Sequence, residues 1–154
     1  MKIRIGNYDV QIDREELWRV KKFKYYPRTR RNHLCIQRYV KKGKSIRTPM
    51  LHREIMNCPP HLVTDHINGD TLDCRKKNLR NCTKRQNSQN QKAHAGSLSG
   101  LKGVSHHKQS GRWQAVINVN GTSRYLGLFA TPIEAHEVYC YHAQKEFGQF
   151  ARYA

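Results

Sequence analysis

Residues 63–90 read VTDHINGDTLDCRKKNLRNCTKRQNSQN. Leu62–Ile67 is an apolar strand bearing an adjacent Asp65–His66 pair, and it runs into Asn68-Gly69, a strong turn signal. Leu72 to Cys82 reads as a polar loop that holds Asn78 and has one apolar anchor, Leu79. Thr83 then supplies an N-cap for a short helix running to about Lys92, and that helix bears Asn87. These residue types suit hydrolysis of a phosphodiester. A carboxylate and an amide oxygen can hold a hard divalent metal, and an imidazole can take a proton from an attacking water.

Upstream, short strands are expected at Lys2–Ile5, Tyr8–Ile12 and Leu34–Val40, with another around Gly43. Asp13–Trp18 reads as a helical turn capped by Asp13, with Glu15 and Glu16 favourably placed near its N-terminus. Leu51–Asn57 has Leu51, Ile55 and Met56 at helical spacing before Pro59-Pro60 ends it. Downstream, Ala93 to Lys102 is rich in Ala, Gly and Ser and reads as a flexible linker. Gly103–His107, Arg112–Val119 and Thr122–Phe129 then alternate as three antiparallel strands, turning at Ser110-Gly111 and Asn120-Gly121. Gly121, Gly127 and Pro132 are read as turn residues. Thr131, Pro132 and Glu134 form a capping-box signature, and Ala135, Tyr139, Ala143 and Phe147 make one apolar stripe on the helix that follows.

The 29 Lys and Arg against 11 Asp and Glu leave a net charge of +18 on 154 residues, which points to a polyanionic partner. The excess is concentrated. Lys21 to Arg47 holds eleven bases and no acid, interleaved with Phe23, Tyr25, Tyr26 and Tyr39. Lys21, Lys22, Lys24, Arg28, Arg30 and Arg31 are expected along a phosphate backbone, where they raise affinity without choosing sequence. No run of 18 apolar residues exists, so no membrane span is expected, and the first residues lack the apolar core of a secretory signal. Five cysteines without a C-x-x-C pair argue against a disulfide framework and fit a reducing cytoplasm, in a bacterial or phage-infected cell. Cys58, His61, Cys74 and Cys82 can be imagined as a structural zinc site, but the closely paired ligands such sites show are missing. His52 reads as packed or phosphate-contacting.

With T-D-H-I-N-G-D, L-D-x-R-x-x-N-L-R and T-x-x-x-N-S-x-N in one stretch, the middle of the chain resembles the ββα-metal motif of the HNH nucleases, particularly the homing endonucleases of phages and introns. The resemblance implies His66 as general base, Asp65 and Asn87 as metal ligands, and Asn78 as a brace for the strand that bears His66. Asn87 stands where the family often has His. One carboxylate with one amide oxygen favours Mg²⁺ or Mn²⁺ over Zn²⁺. The resemblance further implies products with 5′-phosphate and 3′-hydroxyl ends, and one nick per active site.

The C-terminal segment, from KGVSHHKQSGRWQAVI through NGTSRYLGLFATPIEA to FGQFA, is similar to the Apetala-type DNA-binding domain of plant ethylene-response factors. In that family the sheet enters the major groove. Lys102, Lys108, Arg112, Trp113, Arg124 and Tyr125 are therefore the candidates for DNA contact, with core packing the competing role for Trp113.

The expectation is an α+β chain with four parts: a strand-rich basic region at 1–50, an HNH ββα-metal motif at 51–92, a linker at 93–102, and a three-stranded antiparallel sheet plus helix at 103–154. Its expected activity is metal-dependent nicking of double-stranded DNA by a monomer or weak dimer. The competing reading is a non-catalytic sequence-specific DNA-binding regulator with a vestigial nuclease motif. A second competitor is an RNA-binding protein using the basic N-terminus.

Overall fold

A computed structural model describes residues 1–30, 33–93 and 96–153. It divides into two units, Met1–Asn87 and Ser88–Ala154. The first is a mixture of two-stranded antiparallel sheets and short helices, and the second has one three-stranded antiparallel sheet with a 16-residue helix.

In the first unit, β1 (Lys2–Ile5) and β2 (Tyr8–Gln11) form a hairpin. A 3₁₀ turn at Arg14–Glu16 leads into α1 (Leu17–Lys21). Asp13 does not cap this turn through its side chain; Asp13 Oδ2 instead accepts the Lys76 backbone N–H at 2.7 Å. Next come the hairpins β3 (Tyr26–Arg30) with β4 (His33–Gln37), and β5 (Val40–Lys42) with β6 (Ser45–Arg47). β3 was not anticipated. α2 (Leu51–Ile55) follows, then β7 (Val63–His66), β8 (Leu79–Cys82) and α3 (Lys84–Gln89), whose last two residues are counted with the second unit. The segment read as a loop from Leu72 to Cys82 thus ends in a strand, paired antiparallel with β7.

One core serves the whole first unit. Ile5, Val10, Ile12, Val20, Tyr25, Ile36, Leu51, Ile55, Cys74 and Leu79 are buried together, each large aliphatic side chain contributing roughly 1.5–3 kcal/mol. The N-terminal hairpin is stitched to the segment after β7 by backbone bonds, Gln11 N–H to the Leu72 carbonyl and Cys74 N–H to the Gln11 carbonyl, both 2.8 Å. Glu54 of α2 ties in three further segments. It receives Arg38 through Nε and Nη2 and the Tyr25 hydroxyl at 2.7 Å, while its backbone carbonyl accepts from Arg19.

In the second unit, β9 (Val104–His107), β10 (Arg112–Val119) and β11 (Thr122–Phe129) form one antiparallel sheet with β10 central, and α4 (Pro132–Phe147) packs on one face. Asn120 and Gly121, both at positive φ, make the β10–β11 turn. The capping box of Thr131 and Glu134 is present in both directions. Ala135, Tyr139 and Ala143 are buried as the stripe requires. Gly103 has φ of +76°, and a Cβ there would fall inside the Tyr139 ring, so only glycine lets the helix settle on the sheet. Gly127 lies within β11 opposite Ala115, beside the register shift at Ala115/Val116, and so marks a bulge instead of a turn. Ser99 bonds the Val104 carbonyl, and Leu101 packs on the core.

Candidate active site

β7 is half-submerged: Thr64, Asp65 and His66 are all buried. A polar strand can be buried only when partners satisfy it, and β8 supplies several. Asn81 Oδ1 accepts from the Thr64 hydroxyl at 2.9 Å, and Asn81 Nδ2 donates to the Met56 carbonyl at 3.0 Å. Opposite Asp65 in the register stands Arg80, which donates Nε–H and Nη2–H to Asp65 Oδ2 at 2.9 and 2.7 Å. His66 pairs with Leu79.

The turn leaving His66 is held by Asn78. The Ile67 N–H donates to the Asn78 backbone carbonyl at 2.8 Å, and the Asn68 N–H donates to Asn78 Oδ1 at 3.0 Å. Asn78 Nδ2 donates in turn to the Asp73 carbonyl at 2.9 Å. Asp70 and Asp73 complete the loop. Asn68 Oδ1 accepts from the Asp70 N–H, Asp70 Oδ1 accepts from the Leu72 N–H, and the Asp73 carboxylate takes two 2.6 Å bonds from Arg75. Those bonds from Arg75 hold the Asp73 carboxyl below the usual carboxylate range.

His66 lies against two other side chains. Its Nε2 is 4.0 Å from Cys74 Sγ, and its ring meets His52 edge-on at a centroid distance of 4.8 Å. Burial lowers the pKa of His66, while Asp65, Asp70 and Asp73 pull the other way. The ring is therefore neutral at physiological pH, the form a general base needs. Burial, with His66 and Arg53 nearby, holds His52 down at about 3, and burial pushes the Cys74 thiol up to about 12.

Asn87 sits on α3, partly exposed, its N–H bonded to the Thr83 carbonyl at 3.0 Å. Thr83 Oγ1 accepts from the Gln86 N–H and the Gln86 side chain accepts from the Thr83 N–H, a reciprocal cap that fixes where α3 starts. The helix ends at Gln89. Among the described residues no three His, Cys, Asp or Glu side chains are grouped so that they could hold a metal ion. The Asp65 carboxylate and the Asn87 amide oxygen are hard donors whose chemistry fits Mg²⁺ or Mn²⁺. The Arg80 guanidinium already partners Asp65, so a cation held there would have to share that carboxylate or displace the arginine. Arg80 is the residue that sequence reasoning missed; reading Leu79–Cys82 as a strand would have put it across from Asp65.

The candidate DNA contacts fall into distinct settings. Lys21, Lys22, Lys24, Arg28 and Arg30 are exposed on the first unit; Arg31 lies outside the described residues. Lys22 and Lys24 lie over the rings of Phe23 and Tyr26. On the second unit, Lys108, Arg112 and Tyr125 are exposed, whereas Trp113 turns to the helix side, packing on Val104, Ala115 and Ala135 and meeting His106 edge-on. Core packing claims it. Arg124 pairs in register with buried Ile117 and donates to Glu146 of α4 at 2.7 Å, so it shares the helix face too. Lys102 is folded back, its ammonium donating to the Gln89 carbonyl. Asn90 belongs to this unit, where it is buried and its carbonyl accepts from Arg152.

Residues 57–89 match the HNH endonuclease family. Protein 3.8 of Escherichia phage T7 is 30% identical over 96 residues, which cover 62% of this chain and 78% of that protein. No solved structure matches.

Proposed function

This chain belongs to the family of protein 3.8 of Escherichia phage T7 and carries an HNH endonuclease segment, and we propose that it is a metal-dependent HNH endonuclease of the homing type that nicks duplex DNA. The observation that carries the reading is the buried Asp65–His66 pair on β7, with the turn after it fixed by the Asn78 side chain.

In this reading His66, neutral through burial, accepts the proton of a water that attacks phosphorus in line. Asn78 keeps the imidazole in place by holding both sides of the loop that follows it. Arg80 fixes the orientation of Asp65. Asp65 and Asn87 would hold a divalent metal, which when bound stabilises the charge developing on phosphate oxygens. The exposed bases of residues 21–30 follow the phosphate backbone. The outer face of the C-terminal sheet, with Arg112 and Tyr125, provides recognition in the manner of an ethylene-response-factor domain. Trp113 supports that face from behind.

The test is cleavage of supercoiled plasmid carrying DNA from the gene's own neighbourhood, in Mg²⁺ or Mn²⁺, by wild type, His66→Ala and Asn87→Ala. Metal-dependent nicking lost in both variants supports the enzyme. Tight binding without cleavage in either metal transfers the assignment to a DNA-binding regulator.

A further inference from the structure

The β5–β6 hairpin has no structural reason to exist where it does. Every residue from Lys41 to Arg47 is exposed, so neither face of the ribbon is covered by the unit's core. An isolated two-stranded ribbon is marginally stable in water, and this one concentrates like charge. Lys41, Lys42, Lys44 and Arg47 lie within seven residues that contain no acid. None of the four makes an ion pair among the described residues. Between them stands Ile46, 67% exposed and paired with Lys41 on one face.

The root of the hairpin is tied to the unit by several bonds. Gln37 bridges to Met50, the Arg38 N–H donates to the Pro49 carbonyl at 3.0 Å, and the Arg38 guanidinium grips Glu54. α2 begins immediately beyond, and its His52 touches the His66 ring. A mobile, merely solvated loop would not need such a mount, whereas a ribbon that positions a substrate relative to His66 does.

We propose that the β5–β6 hairpin is a DNA-reading arm that enters the major groove of the duplex being cut. The inference rests on the nuclease reading above. Five residues from root to tip reach about 17 Å, and the major groove is about 12 Å wide and 8.5 Å deep and admits a two-stranded ribbon. Lys42, Lys44 and Arg47 bind phosphates along the groove walls. Ile46 presents an apolar surface to base edges, where a thymine methyl is the complementary group.

Binding to randomised duplex pools, followed by sequencing of the bound fraction, tests the arm independently of cleavage. Ile46→Ser is expected to keep the salt dependence of binding and lose base preference over a short block of the site. Lys42→Ala/Lys44→Ala/Arg47→Ala is expected to lower the slope of log K against log salt by about 2–3, since each phosphate contact contributes about 0.9. These side chains are exposed, so far-UV circular dichroism should match wild type. Unchanged base preference in Ile46→Ser together with an unchanged slope in the triple variant overturns the arm. So does binding in which single-stranded RNA outcompetes duplex DNA. Should the wild type bind but never cleave, while the arm variants behave as expected, the arm stands and the nuclease reading falls. Should the wild type cleave and the arm variants bind and cut like it, the arm alone falls.

Discussion

Replacing Asn78 with alanine removes two buried hydrogen bonds at once. The Asn68 N–H loses its acceptor at 3.0 Å and the Asp73 carbonyl loses its donor at 2.9 Å, while the backbone bond from Ile67 to the residue 78 carbonyl survives. Asn78 is only 7% exposed, so water cannot readily take over either role. Leaving a buried polar group unpaired costs about 1–3 kcal/mol, and two of them cost about 2–4 kcal/mol after partial relaxation. Asn81→Ala is the matched control, because it also breaks two side-chain bonds, from the Thr64 hydroxyl and to the Met56 carbonyl. Both variants should lose comparable stability in urea unfolding. Their activities should differ, because Asn78 holds the turn that leaves His66 and Asn81 holds β7 and β8 to the end of α2. At a temperature where both are fully folded, nicking by Asn78→Ala should fall at least tenfold below Asn81→Ala, with DNA affinity equal in the two. Equal nicking rates would refute a positioning role for Asn78 and reduce it to a structural residue.

Arg80→Met leaves the Asp65 carboxylate buried without its guanidinium, a change expected to cost about 3–5 kcal/mol without metal; Mg²⁺ should then raise the variant's melting temperature more than the wild type's, and an equal shift would remove Asp65 from the metal site. Gly103→Ala drives a methyl into the Tyr139 ring at a positive φ, so the second unit should lose more than about 2 kcal/mol, read from Trp113 fluorescence during unfolding in a Trp18→Phe background. Burial, with Arg152 nearby, holds Lys102 at about 8 against an ordinary 10.5. Between those values the unfolded chain retains a proton the folded chain has released, so this residue makes stability rise with pH across that window. The difference between wild type and Lys102→Met, followed by unfolding from pH 7.5 to 10.5, should show that slope; a flat difference would mean the ammonium is solvated.

The C-terminal unit was legible because its signals are local. Alternation along β10, the Asn120-Gly121 turn and the Thr131–Glu134 box each lie within a few residues, and each specifies its element. β3 and β8 were illegible for the opposite reason. Tyr26–Arg30 reads YPRTR, without an apolar alternate and with a proline, and becomes a strand by pairing with β4, whose Ile36 lies in the core opposite Pro27. Leu79–Cys82 interrupts its two apolar residues with Arg80 and Asn81, whose partial burial makes sense only once Asp65 and Thr64 stand opposite. Asp13 failed as a cap because its acceptor serves an amide 63 positions away. The candidate residues at the site came from a family resemblance in the motif, but the partners around them were not legible, since they come from cross-strand register.

That dependence on distant partners bears on where the nuclease segment ends physically. Residues 57–89 carry the family match, yet of the ten residues in the first unit's core cluster eight precede residue 57, and Cys74 and Leu79 alone fall within the match. A stretch that short, with Cys74, Leu79 and Cys82 as its buried apolar side chains, cannot offset the entropy of ordering it. The loop that braces His66 is itself anchored from upstream, by Gln11 at Leu72 and Cys74 and by Asp13 at Lys76. The N-terminal region is therefore part of the scaffold of the candidate site as well as a basic surface. A fragment spanning residues 51–92 should show random-coil circular dichroism and no metal-dependent cleavage, while residues 1–92 should fold; a folded 51–92 fragment would show that the upstream hairpins are dispensable to the site.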